Sequence, residues 1–226
     1  MKDEPKPSFN QVPLFVSHTL TSDTGGLGND LIYGGTGIDT VKFSGQFGSV
    51  SLPNYSIQKL IDGSWLVSYI GPVITIFPPS PTDGSDTLTY VERLQFTDKS
   101  FALDLDGNVG SAAKIIGAVL GSAALKNSTY VGIGLSYLDK GMSNSDLGAL
   151  ALNAVGATTN DAIVSTLWLN VIGSPASALD KAPFIKMLID GMKAGDLVAL
   201  AADTSFNTTN INLVGLAQTG IEYLPV

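Results

Sequence analysis

Apolar residues change their spacing once along this chain. Between residues 21 and 105 they come in short runs: Val50 to Leu52, Tyr55 to Ile61, Trp65 to Ile70 and Val73 to Phe77. Such short runs, bounded by Gly, Pro, Asn and Asp, read as β-strands. Asp62-Gly63 between two of them spells a hairpin turn. Pro78, Pro79 and Pro81 then end the pairing, because proline cannot donate to a ladder. From Asp104 the spacing lengthens to three and four. Helices are expected near 108–121, 129–140, 144–156, 159–172, 180–192, 194–203 and 209–219. The fold class is therefore α+β, with an arm at 1–20, a β region at 21–105 and an all-helical domain at 106–226.

Local chemistry agrees with these boundaries. Ser143 with Asp146, Thr158 with Asp161, and Ser177 with Asp180 sit at capping-box spacing. Gly141, Gly156, Gly173 and Gly191 fall where helices end. Asp106 or Asn108 is the expected N-cap of the first helix. Ile163, Val164, Leu167, Trp168, Val171 and Ile172 make the widest apolar stripe, which marks their helix as the central one. The helical half also repeats itself. Leu138 to Leu147 matches Leu188 to Leu197 at an offset of 50, and Val119 to Ser122 recurs as Val171 to Ser174 at an offset of 52. Two related helix–turn–helix repeats account for this.

The most specific signal lies at Gly25 to Lys42. GGLGNDLIY and GGTGIDTVK write one nine-residue pattern twice: Gly-Gly-x-Gly-x-Asp-x-apolar-x. The glycines admit left-handed backbone that turns carbonyls inward, and the Asp adds a carboxylate. Carbonyl and carboxylate oxygens are the donors that Ca²⁺ prefers. Gly84-Ser85-Asp86-Thr87-Leu88 repeats the local spelling of Gly37-Ile38-Asp39-Thr40-Val41. Calcium ligands are expected from the turns of Gly26, Gly28 and Asp30, of Gly35, Gly37 and Asp39, and of Asp83 and Asp86. The pattern resembles the RTX repeat, in which a calcium ion sits between turns of alternate repeats stacked on one side. On that resemblance, two consecutive nonapeptides supply one turn per side, half of each site. Either the Asp83/Asp86 turn stacks on the Asp39 turn, with Asp23 approaching the Asp30 turn, or a neighbouring molecule completes the shell.

These nonapeptides resemble the RTX repeats of bacterial proteins exported by type I secretion. The run DGSDTLTYVERLQFTDKSFALDLDGNVG resembles the junction that joins such rolls to a helical repeat domain of unknown function, found in surface-layer and adhesin-like proteins. The resemblance covers about residues 21–226. It implies a small parallel β-roll, bound Ca²⁺ and a secreted or cell-surface location, and it does not imply an enzyme. The family's Gly-Arg-x-Pro-Asp turn is missing here: Gly121-Ser122-Ala123-Ala124 and Gly173-Ser174-Pro175-Ala176 stand in its place.

Composition narrows the function further. Lys and Arg total 12 against 20 acids, and Arg93 is the only arginine. Such a surface argues against nucleic acid and against anionic membrane as partners. Seventeen of the acids are Asp, which suits turns, caps and calcium loops. With no cysteine there is no disulfide or thiolate chemistry. MKDEPKPSFNQ carries acids and prolines where a secretory apolar region would stand, and the longest uncharged runs are too broken to insert in a membrane.

Other motifs dissolve on inspection. Asp104-Leu-Asp106-Gly107-Asn108 lacks the EF-hand's glycine position and its closing Glu. Asp23-Thr24-Gly25 is one copy of a triplet that aspartic proteases need twice. The single histidine, His18, lies in the arm and builds no triad or zinc site. Asn127-Ser-Thr129 and Asn207-Thr-Thr209 read as caps and turns. The tail from Gly220 to Val226 ends apolar, as type I export signals do. The expected function is non-enzymatic: a calcium-binding protein that self-assembles into a surface layer or matrix filament, or mediates adhesion. Its expected partners are further copies of the chain; a third reading is a module that binds cell-surface glycan through Trp65, Tyr69 and Asp residues. The alternative is an export and docking module of a larger hydrolase or adhesin.

Overall fold

The computed structural model describes residues 23, 24, 26, 28–49, 52–71 and 84–226. The N-terminal arm with His18, the run at 73–77 and Asp83 lie outside these residues. The chain divides into two units, Met1–Lys99 and Ser100–Val226. The boundary thus falls earlier than the 105/106 expected from periodicity.

The first unit is built of short strands: β1 (Asp23–Thr24), β2 (Leu31–Tyr33), β3 (Thr40–Lys42), β4 (Gly48–Ser49), β5 (Leu52–Pro53), β6 (Tyr55–Lys59), β7 (Trp65–Tyr69), β8 (Ser85–Thr89) and β9 (Arg93–Gln95). β1, β3 and β9 pair in parallel. β2 pairs in parallel with β8. Strands β1, β2 and β3, and again β8 and β9, therefore go alternately to one sheet and the other. The apolar position of each rung points inward: Ile32, Val41, Leu88 and Leu94 are all buried, while Leu31 and Tyr33 beside Ile32 are exposed.

A purely parallel roll does not form. Asp62-Gly63 makes the expected hairpin, with Gly63 at φ +89° and the Asp62 carboxylate accepting from the Ser64 amide and hydroxyl. That hairpin folds β6 on β7, and β7 then adds antiparallel to β8, so the sheet β2-β8-β7-β6 is mixed. Phe43, Tyr55 and Phe96 close the core beside it, with ring centroids 4.7 to 5.6 Å apart.

The second unit begins with β10 (Ser100–Ala102) and ends with β11 (Ile221–Tyr223), which pair antiparallel. This pairing takes residues 100–105 into the helical unit and makes the apolar tail a docked strand. Leu224 follows it, its amide donating to the Ser128 carbonyl. Between the strands lie α1 (Asn108–Leu120), a 3₁₀ turn (Ser122–Lys126), α2 (Ser128–Asp139), α3 (Asn144–Ala154), α4 (Asn160–Ile172), α5 (Ala178–Ile189), α6 (Ala194–Ala202), α7 (Ser205–Asn210) and α8 (Leu213–Thr219). The last expected helix, 209–219, is broken where Asn212 takes φ +53°.

Several caps differ in detail from the sequence reading. Ser177 and Asp180 form the full capping box, and Ser143 accepts from the Asp146 amide. Thr159, and not Thr158, caps α4. Neither Asp106 nor Asn108 caps α1: its N-cap is Gly107, and Asp104 Oδ2 receives the amides of Asn108 and Val109. The central helix is α1, which contacts α2, α3, α4, α6 and α7. Its Ala112, Ala113, Gly117 and Ala118 let neighbours approach from all sides, whereas Trp168 and Ile172 keep part of α4 in solvent. Periodicity favours large apolar residues and so points at the wrong helix.

The offsets seen in sequence persist in space. α1 and α4 have bounds 52 apart, α2 and α5 have bounds 50 apart, and the turns after α2 and α5 carry the same bonds. Met142 N–H donates to Tyr137 O at 3.0 Å, as Met192 N–H does to Met187 O. Both turns place glycine, Gly141 and Gly191, at positive φ.

Candidate functional site

The glycine turns stack in two pairs, and the partners are not those expected. The turn carrying Asp86 lies on the Asp30 turn, not on the Asp39 turn. Asp30 N–H donates to Asp86 Oδ1 at 2.9 Å, and Thr87 N–H donates to Asp30 O at 2.8 Å. Asn29 Oδ1 accepts from the Ser85 amide at 2.8 Å, which ties the two turns one residue earlier. Gly84, at φ +78°, presses on the other turn so closely that a Cβ there would sit 2.1 Å from Gly28 O. The register of β2 on β8 causes this: Leu31, Ile32 and Tyr33 face Thr87, Leu88 and Thr89, so residues 56 apart superpose. Asp23 is carried elsewhere, to the position opposite Val41.

The Asp39 turn has a different partner. Its amide donates to Glu92 Oε2 at 2.9 Å, while the amides of Glu92 and Arg93 return bonds to Asp39 O at 3.2 and 3.0 Å. Six residues, 34–39, join β2 to β3, but only three, 90–92, join β8 to β9. The short connection has no glycine. Tyr90 takes φ +54° there instead, and its carbonyl packs against Gly34. Glu92 is the residue that sequence reading missed, because Tyr-Val-Glu-Arg does not spell a repeat turn. Its one signal is position, since it stands just before the strand that follows the Asp86 rung.

Both pairs are acidic and enclosed. Asp39 and Asp86 are 2% and 1% exposed, and Oδ2 of Asp30 is a buried atom. The one buried cation in the unit, among the described residues, is Arg93, whose Nη1 donates to Glu92 O at 2.9 Å. Two stacked turns thus hold Asp30 and Asp86, two carboxylates with their carbonyls close by. Gly26, Gly28, Gly35 and Gly37 all take positive φ, as the expected carbonyl-presenting turns require. These are donors of the kind Ca²⁺ takes. Among the described residues, no group of three or more His, Cys, Asp or Glu is placed to hold a metal.

Other expected features are relocated or removed. Of the two aromatics in the glycan reading, Trp65 is buried at 5% exposed with Lys59 Nζ over its ring, and Tyr69 is half-buried. Among the described residues, the exposed aromatics of this unit are Tyr33 and Tyr90, which meet edge to face at 5.0 Å. Asn127 caps α2 through Oδ1, and Asn207 is fully buried. Among the described residues no helix is long and apolar enough to cross a membrane. No family model, curated protein or solved structure matches the chain.

Proposed function

We propose that this protein is a calcium-binding structural protein of the cell exterior, and that the Asp30/Asp86 turn pair is its cation site. The observation that carries this is the stacking of two Gly-x-Asp turns in register, each bringing an enclosed carboxylate. Two carboxylates brought together in this way offer the hard oxygens that a divalent cation such as Ca²⁺ takes. Carbonyls from the glycine turns would supply further hard oxygens. The cation would clamp β2 to β8 and so stabilise the sheet unit. In this reading Asp39 needs no ion, since Glu92 already bonds its turn and Arg93 lies beside it. The alternation of strands between two sheets, together with the nonapeptide pattern, supports an RTX-like roll interrupted by a hairpin. The matching helix bounds and turns support an internal duplication of the helical unit.

Assembly is the second half of the proposal. β1 and β2 are the terminal strands of their sheets among the described residues, and such edges pair readily with another copy. Thermal unfolding of the full chain carrying Trp168→Phe, so that fluorescence reports Trp65 alone, with Ca²⁺ and with chelator tests the cation site. Excess Ca²⁺ at about 100 times Kd is expected to add about 2.7 kcal/mol to the sheet unit. Identical unfolding curves in both conditions would sink the cation reading. Light scattering tests assembly separately: the same monomer with Ca²⁺ as with chelator would remove it.

A further inference from the structure

Away from the glycine turns, the helical unit holds a half-open cavity of about 300 Å³ between α4, α5, α6 and the start of α7. We propose that this cavity binds the hydrocarbon chain of a small amphiphile, its head group remaining in water.

The unit supplies its own comparison. In the first set of helices, a Cβ at Gly134 would lie 3.5 Å from Ala112, 3.6 Å from Ile116 and 3.9 Å from Leu147. A single methyl would just fit at Gly134 between α1 and α3, so α2 packs close to both and leaves no room for a larger side chain. The same offsets of 50 and 52 turn Gly134, Ala112, Ile116 and Leu147 into Phe184, Val164, Trp168 and Leu197. All four of these line the cavity. Larger side chains have opened space instead of filling it. Trp168 and Phe184 meet edge to face with centroids 6.1 Å apart and stand between α4 and α5. As a result α5 has no buried residue, whereas α2 buries Val131, Gly132, Gly134, Leu135 and Leu138. A packed helical core does not hold open a void of this size without cost, because its lining forfeits dispersion contacts.

The walls define the ligand. The lining carries two polar groups, the Thr204 hydroxyl, which already donates to Ala201 O at 2.8 Å, and the Trp168 indole N–H. No charged residue lines it and the rest of the wall is apolar, so water is poorly held and hydrocarbon is favoured. At about 30 Å³ per water-sized group, the cavity takes roughly ten such groups, a chain of medium length. Ile172, Leu200 and Phe206 line the cavity yet are 40%, 51% and 61% exposed. The cavity therefore opens to solvent through an apolar rim, which suits a chain whose polar end stays outside.

Calorimetric and saturation-transfer NMR titrations of the full chain with alkan-1-ols from six to fourteen carbons test the proposal. Affinity is expected to rise about fourfold per methylene up to roughly ten carbons, then level off. Ala201→Phe fills the cavity and is expected to weaken decan-1-ol at least tenfold, with the fold checked by circular dichroism. Should that variant fail to fold, Ile172→Glu at the exposed rim is expected to give the same direction of change. No binding at any length, affinity independent of length, or binding unaltered in Ile172→Glu would each overturn the proposal. So would a dimer that Ile172→Glu dissociates in a protein that binds no alkanol, since the groove would then seat a second copy.

Discussion

The two stacked turn pairs start from the same motif and end differently. Asp30 and Asp39 occupy the same place in consecutive nonapeptides, and each gives its amide to an acid at 2.9 Å. Under Asp30 lies a second Gly-x-Asp turn. Under Asp39 lies a connection three residues shorter, which brings Glu92 and Arg93 in its place. A ligand-presenting turn is thus a property of two segments. One good nonapeptide makes a cation site only where the register of the next rung delivers a matching turn.

The largest effect is expected from the contact that permits stacking. Gly84→Val adds both a strained φ and a clash with Gly28 O, and should cost about 3 kcal/mol or more. Gly37→Ala, also at positive φ but with open space around its Cβ position, should cost only about 1–2 kcal/mol. Denaturant unfolding of the sheet unit separates the two, and equal losses would show that close stacking of the Asp30 pair does not matter.

Next come the acids themselves. Asp86→Ala leaves an enclosed amide of Asp30 without its carboxylate and should cost about 1–3 kcal/mol. It should also abolish the Ca²⁺ dependence of unfolding. Glu92→Ala removes the corresponding bond on the other pair, costs about 1 kcal/mol, and should leave the Ca²⁺ dependence intact. If Glu92→Ala abolished it and Asp86→Ala did not, the assignment of the two pairs would be reversed.

The smallest effect concerns an acid that no cation serves. Bonds from the Ser64 hydroxyl and amide hold Asp62 below its ordinary value of 3.8. A lowered carboxyl favours the folded state above the unfolded value, and that contribution is lost as pH falls through the folded value. Asp62→Asn should therefore flatten stability slightly below about pH 3.8 and leave the Ca²⁺ response unchanged. A carboxyl titration of Asp62 by NMR with its midpoint at or above 3.8 would contradict this.

Much of the local structure was legible in the chain. Asp62-Gly63 spelled its hairpin, Ser177 with Asp180 spelled its capping box, and Gly141, Gly156, Gly173 and Gly191 marked helix ends. Each of these rests on interactions within a few residues, so neighbouring letters suffice. Asp104 was overlooked as the acceptor for α1 because Asp106 and Asn108 stood at the more usual distance. Thr159 displaced Thr158 by one residue, within the ordinary uncertainty of a helix start.

What the sequence by itself determined was the change of period near Asp104, the inward apolar residue of each rung, and the acids and glycines available for a site. Only the tertiary structure decided which turn lies on which. A parallel rung is set by register across dozens of residues, and the connection 90–92, three residues shorter than 34–39, shifts that register from 56 on one side to 53 on the other. Burial order among the helices was decided the same way. α1 became central through small side chains whose value depends entirely on what packs against them, and the space between α4, α5 and α6 stayed open because Trp168 and Phe184 meet each other there.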